Sequence, residues 1–313
     1  MRRIIRGTVA ASFLGLFASL SLAQGDLSKV EIKAEKVAEG IHVLTGQGGN
    51  IGVLSGADGV IMIDDQYAPL SERIRAAVRQ ISDQDIRFLI NTHWHGDHTG
   101  GNEAFGKSGS VIVAHDNVRK RMSTEQFIKL FNSKVPASPA AALPVVTFSD
   151  RASFHLNGEN IRLIHVAHAH TDGDTLIHFE NANVIHMGDT FFNGLYPFID
   201  RGSGGSVQGM IAAAEFVLGM TDAKTRIIPG HGAVTDREGL QAYLAMLKHL
   251  RDGVARGIEQ GQSLEQILAT KPGARYDEKL GGAFINPEQI VGFVYDSLQH
   301  PPSHVGPAKH PEN

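Results

Sequence analysis

The sequence predicts an α/β (or α+β) protein, and three observations carry that expectation. Short apolar runs of about four or five residues recur between glycine-rich or polar turns, the signature of buried strands. Leu70, Ile74, Ala77, Val78 and Ile81 place apolar side chains at helical spacing. The order of strands followed by helices then repeats in the second half of the chain. The 313 residues are 42% hydrophobic and 20% charged, enough for one large domain over residues 24–300.

Residues 30–34 alternate and read as a first strand, and residues 40–44 as a second, with His42 an ordinary strand residue. A glycine-rich link at 46–49 leads to Ile51–Leu54 and Val60–Ile63, which turn on residues 56–59. The helix over 70–81 takes Ser71 as its amino-terminal cap, with Glu72 in its first turn. Ile86–Ile90 is a buried strand, a helix opens near Asn102, and residues 110–113 form another strand. His115 then caps or supports a helix expected to run to about Phe131. Residues 132–146, rich in Pro and Ala, are either a lid or a linker between the halves. The second half is expected to open with a strand at 145–148. Its helices are expected at 207–218, facing the core through Ile211, Ala214, Val217 and Leu218, and at 236–258 and 287–298. The tail 301–313 is expected to be disordered, leaving His300, His304 and His310 incidental.

At the amino terminus Arg2, Arg3 and Arg6 precede an apolar run that ends at Ser21 and Ala23. That is the pattern of a secretory signal over residues 1–23, and it predicts a periplasmic or secreted protein without a stable membrane anchor after cleavage. Arg2-Arg3 raises the twin-arginine route, and an uncleaved anchor is the alternative. A net charge of −4 argues against a nucleic-acid face, and Arg119-Lys-Arg121 reads as a solvated helix surface. The absence of cysteine excludes disulfides, thiolate ligands and a cysteine nucleophile.

The chemistry concentrates in Asn91-Thr-His-Trp-His-Gly-Asp-His-Thr-Gly-Gly101, at the end of the Ile86–Ile90 strand. Residues two apart in extended chain point the same way, so His93 and His95 can grip one ion. Gly96 lets the backbone turn, and Asp97 and His98 can then diverge toward a second ion. Imidazole and carboxylate donors suit zinc, although iron and manganese accept them too. Three later apolar runs also end in ligand types, at His168 and His170, at Asp189, and at His231.

Together these segments read His-x-His-x-Asp-His, His-Thr-x-Gly-Asp, Gly-Asp-Thr and Pro-Gly-His-Gly. The set resembles the metallo-β-lactamase fold superfamily over roughly residues 30–250. The resemblance implies a four-layer αβ/βα sandwich with two zinc ions in the cleft. It assigns His93, His95 and His170 to one metal, Asp97, His98 and His231 to the other, and Asp189 to both. His168 is then a neighbour of the site and His186 a buried strand residue. Asp97 is expected to orient an activated water as well as to bind, making it the catalytic candidate. Asp64, Asp65, Asp172 and Asp174 are candidate acceptors for the outer ring nitrogens.

The implied activity is hydrolysis of a C–N or C–O acyl bond in a small molecule. Export points first to a β-lactam amide, with a lactone or thioester as the alternative. Phe192, Tyr196 and Phe198 are expected beside the cleft, and Asn193 is a candidate donor to the substrate anion. A reading of another class is an exported zinc-binding protein without turnover. Oligomeric state is not expressed in the sequence.

Overall fold

A computed structural model describes residues 26–307, so the signal expected at 1–23 and the end of the tail, 308–313, lie outside the described residues. In chain order the first part comprises β1 (Lys33–Ala38), β2 (Ile41–Thr45), β3 (Ile51–Leu54), β4 (Val60–Ile63), α1 (Ser71–Ile81), β5 (Ile86–Ile90), α2 (Gly96–Thr99), α3 (Asn102–Lys107), β6 (Val111–His115) and α4 (Asp116–Met122). A hairpin of β7 (Gln126–Ile128) and β8 (Ser133–Val135) follows, then β9 (Val146–Phe148). The second part comprises β10 (Arg151–Leu156), β11 (Glu159–His165), β12 (Thr175–Phe179), β13 (Val184–His186), α5 (Val207–Met220), β14 (Arg226–Ile228) and α6 (Arg237–Glu259). Helices α7 (Leu264–Ala269), α8 (Ala274–Leu280) and α9 (Pro287–Gln299) complete it.

Among the described residues, seven strands form one sheet in the order β1-β2-β3-β4-β5-β6-β9, and five form another in the order β10-β11-β12-β13-β14. Strict alternation makes these sheets into layers. Ile61 and Ile63 of β4 face Ile161, Leu163, Ile177 and Phe179 of the second sheet, forming a core between the two. Val60 and Met62, one residue out of step, turn to the opposite face and pack under α1 with Leu70, Ile74 and Val78. In the second sheet Ile164, Leu176, Ile185 and Ile227 turn outward beneath Met210 and Val217 of α5, and Leu247 and Leu250 of α6. Strands buried on both faces need apolar side chains at every position, which is why Val60–Ile63 reads as an unbroken apolar run. The result is the four-layer αβ/βα sandwich.

Several boundaries differ from expectation. β1 starts at Lys33, because the Arg73 guanidinium takes the carbonyls of Leu27, Ser28 and Val30 at 2.6, 2.7 and 3.2 Å and folds that segment away from the sheet. Ser71 does not cap α1; it stands inside the helix and its hydroxyl donates to the Ala68 carbonyl at 2.9 Å. The helix after His115 ends at Met122, where Gln126 Nε2 donates to the Arg121 carbonyl at 3.2 Å and starts the hairpin. Residues 132–146 carry β8 and a short turn of helix at Ala140–Ala142. β9 does not open the second half: it pairs in parallel with β6, Val113 opposite Val146, and closes the first sheet. Along α5, Ile211, Ala214 and Val217 are buried, whereas Leu218 is only partly covered. Part of the tail lies against the body, where Gly306 and Ala167 exchange two backbone hydrogen bonds of 3.0 Å.

His115 caps α4 by accepting from the Asn117 amide at 3.2 Å, and its ring stacks on His165 at 3.7 Å and 11°. Burial, then the neighbouring His115, push His165 down to about 4 from the ordinary 6.5. A depressed histidine favours the neutral fold, so its contribution is complete above about pH 6.5 and is lost as pH falls through about 4. His165→Gln is therefore expected to lose less stability than the parent between pH 7 and pH 4.5, by about 2 kcal/mol. Urea unfolding at the two pH values measures the difference.

Candidate metal centre

Every candidate donor hangs from a strand end on the same side of the sandwich, where open sheets place their ligand sites. β5 delivers His93, His95, Asp97 and His98; β11 runs out toward His170; β13 ends before Asp189; β14 leads to His231. Three interlocking groups result: His93, His95 and His170; His93, His98 and Asp189; and Asp97, His98 and His231. Within each, donor atoms lie within 4.8 Å of one another. The Asp189 carboxylate is central, 3.1 Å from His98 Nε2, 3.4 Å from His231 Nε2, 3.6 Å from His170 Nε2 and 3.8 Å from His93 Nε2. Asp97 Oδ2 lies 3.2 Å from His231 Nε2 and 3.6 Å from His98 Nε2. Most of the cluster is buried, while Asp97 and His231 are partly exposed and form its rim.

The close approach depends on glycine. A Cβ at Gly230 would fall on Asp189 Oδ1, and one at Gly49 would fall on the His98 ring. Backbone strain also contributes, since Asp64 and Gln66 adopt φ of 63° and 55° at the end of β4. That conformation lets Asp64 accept from the Thr92 amide and hydroxyl, both at 2.7 Å, and meet His98 Nδ1 at 2.7 Å.

The outer ring contacts determine which nitrogens face inward. The Phe198 carbonyl can only accept, so His170 carries its proton on Nδ1, 2.8 Å away, and presents a bare Nε2. The Asp200 carboxylate, 3.0 Å from His95 Nε2, holds that nitrogen and turns His95 Nδ1 inward. Those two nitrogens are 2.8 Å apart. Two ring nitrogens this close need a proton or a metal ion between them. His93 Nε2 is likewise buried without a hydrogen-bond partner. The residues thus fit a metal centre: imidazoles turning ring nitrogens inward, and carboxylates supplying charge.

Electrostatics agree. Burial pushes His170 down to about 4 and holds His93 well below the ordinary range, so both stay neutral ligands. Burial also opposes charge on His231, yet the Asp189 and Asp97 carboxylates raise it to about 9. At Asp189 and Asp97 burial is overcome by the surrounding imidazoles, chiefly His98, which hold both acids below the usual carboxylate range. The acids thus create a strong demand for positive charge. Asp200, partly desolvated, is nevertheless held at about 2 by His95 and then Ser203.

The other candidates fall in varied places. Asp174 accepts from the His170 and Thr171 amides at 2.6 and 2.8 Å, fixing the loop, and burial raises it to about 7. Asp65 binds the Gly101 amide at 2.8 Å, and Asp172 pairs with Arg121 at 2.6 Å, so neither holds a ligand ring. His168 Nδ1 lies 2.7 Å from the Gly204 carbonyl, and His186 Nε2 lies 3.1 Å from that of Asn50. Phe192 stacks on His231 at 5.3 Å and 12°. Asn193 spends its amide on the Ala233 carbonyl at 2.8 Å and supports the loop bearing His231. Tyr196 is buried and its hydroxyl turns to Asp277 at 2.7 Å, not to the cluster. Sequence reasoning missed Asp200 and Thr92; Asp200 lies 105 residues from His95 in the chain, and no motif marks it.

A fold with these loops gathers three groups of metal-ligand side chains at one edge of the sandwich. The family model of the metallo-beta-lactamase superfamily matches residues 44–250, and the chain belongs to that superfamily. Among curated relatives, the 2,4-dinitroanisole O-demethylase subunit alpha of a Nocardioides species is 28% identical over 146 residues, covering 45% of this chain and 40% of the relative. The hydroxyacylglutathione hydrolase of Nitrosococcus oceani is 26% identical over 172 residues, covering 55% of this chain and 58% of the relative. The chain thus spans between two fifths and three fifths of the length of these two relatives. A solved metallo-beta-lactamase from Pontibacter korlensis superposes with a TM-score of 0.58 at 17% identity, covering 70% of this chain and 99% of that one, which shows the shared fold.

Because Asp200 fixes the His95 tautomer, Asp200→Ala is expected to weaken zinc binding at His93, His95 and His170 by about 10- to 100-fold. Competition with a chromophoric chelator measures that affinity, and an unchanged value would remove the role given to Asp200.

Proposed function

We propose that this chain is an exported dinuclear zinc hydrolase that opens a C–N or C–O acyl bond of a small molecule, with β-lactam amides the first substrate class. The observation that carries the reading is Asp189, whose carboxylate stands within 3.8 Å of ligand nitrogens from both metal-binding triads. His93, His95 and His170 would hold one ion, and Asp97, His98 and His231 the other, with Asp189 shared. Zinc suits this mixed imidazole and carboxylate set, as iron or manganese also would. Bound there, two zinc ions would supply an acidified water and polarise a carbonyl oxygen near neutral pH.

The chain's own residues supply position and proton handling. Asp97, at the partly exposed rim, would orient an attacking water through its carboxylate. Asp64, Asp200 and the Phe198 carbonyl lock three rings so that the donors need not reorganise. Phe192 covers one face of His231 and excludes water from it. With no cysteine in the chain, no thiolate step is open to it. The residues 1–23 pattern supports export, and a periplasmic address is where β-lactams act. Likeness to a hydroxyacylglutathione hydrolase supports a thioester as the second substrate class. Among the described residues no helix is long and apolar enough to cross a membrane.

The test is a panel of one β-lactam, one lactone and one thioester on the full chain with two equivalents of zinc. Turnover of at least one is expected, abolished by EDTA and restored by zinc. Asp97→Ala is expected to lower kcat by about 100-fold or more on that substrate. A zinc-loaded chain inert on all three would leave a zinc-binding protein without turnover.

A further inference from the structure

Among the described residues five large hydrophobic side chains are exposed, and three of them, Phe127, Phe131 and Phe284, belong to two segments that flank the metal centre. Phe127 and Phe131 stand on the β7–β8 hairpin, 52% and 46% exposed. Phe284, 55% exposed, stands on the loop before α9, outside the residues 44–250 that match the family. Both segments are held from beneath: Ile128 and Ile285 are buried, and Leu130 and Val135 pack on the same core. The exposed rings are therefore presented by anchored backbone.

They also form a continuous aromatic path to the ligands. Phe131 and Phe284 lie 5.7 Å apart, ring centre to ring centre. They lie 6.1 and 6.3 Å from Phe198, whose ring in turn stacks on His95 at 5.6 Å and 19°. Phe293 of α9 backs Phe198 at 5.6 Å. Rings in such arrangements attract one another, but the outer faces of Phe131 and Phe284 remain in water beside the metal cluster.

We propose that Phe131, Phe284 and Phe198 form an apolar subsite for the substrate, so that the preferred substrate carries an extended alkyl or aryl group beside its scissile acyl bond. This rests on the hydrolase reading above and narrows its substrate class. The occupant is a small-molecule substituent because the patch is continuous with the ligand rings. Phe131 and Phe284 are specificity-determining residues: they touch the substrate's tail and leave the reacting carbonyl to the metal centre.

The test separates binding from turnover. The zinc-loaded full chain is titrated by calorimetry with acetate, butyrate, hexanoate and octanoate, which share a carboxylate and differ in tail. Affinity is expected to rise by about threefold per methylene, as burial of apolar surface requires. In Phe131→Ser/Phe284→Ser the series is expected to become flat, while Val145→Ser, an exposed apolar residue just before β9, keeps the slope. If the double variant melts early, Phe284→Ser alone repeats the comparison and should roughly halve the slope. Equal affinities along the series in the parent, or a slope that survives both variants, would overturn the subsite. So would a dimer that the double variant dissolves, which would assign the rings to a second copy of the chain. In parallel, γ-nonalactone is expected to be hydrolysed about 10- to 100-fold more efficiently than γ-butyrolactone, a preference lost in the double variant. A binding slope without hydrolysis of any panel member keeps the subsite and removes the hydrolase reading. Hydrolysis without chain-length preference does the reverse.

Discussion

Two imidazole nitrogens, one from His95 and one from His170, face each other 2.8 Å apart inside the cluster. Such a pair needs a proton or a metal ion between its nitrogens, and the surrounding contacts hold it in place. The Phe198 carbonyl and the Asp200 carboxylate each claim the opposite nitrogen of one ring, so neither imidazole can escape by moving its proton. Two acids, Asp97 and Asp189, gather negative charge a few ångströms away. A metal cation would answer both the close nitrogens and the excess negative charge.

The layers explain how such distant residues converge. Parallel and antiparallel strands of both sheets end at one side of the sandwich, and alternation along each strand settles which side chains enter the inter-sheet core. Small errors there would be costly, because a slip of one residue in β13 or β14 would turn Val184 or Ile228 out of the core. Glycines at 49 and 230 then let loops from the two sheets approach to contact distance.

Much of this was legible in the sequence where the physics is local. The unbroken run Val60–Ile63 announces a strand covered on both faces, and the spacing of His93, His95, Asp97 and His98 follows from side-chain direction in extended chain. What could not be read were contacts made across the fold. Asp200 meets His95 across 105 intervening steps of chain, and Asp172, equally plausible by type, is taken by Arg121 instead. The helix expected to reach Phe131 stops at Met122 because side-chain bonds from Gln126 end it, a competition that periodicity does not record. Tyr196 looked like a cleft residue from its distance to Asp189, yet its hydroxyl finds Asp277 among the late helices.

The donors come from strand ends of both sheets, and the chain has no cysteine with which to tie them covalently. Coordination bonds would therefore serve as the staple across the sandwich, joining β5 of one layer to β11, β13 and β14 of the other. In such an arrangement acquiring metal and completing the fold would be one thermodynamic event, and a compartment poor in that metal would yield a looser molecule.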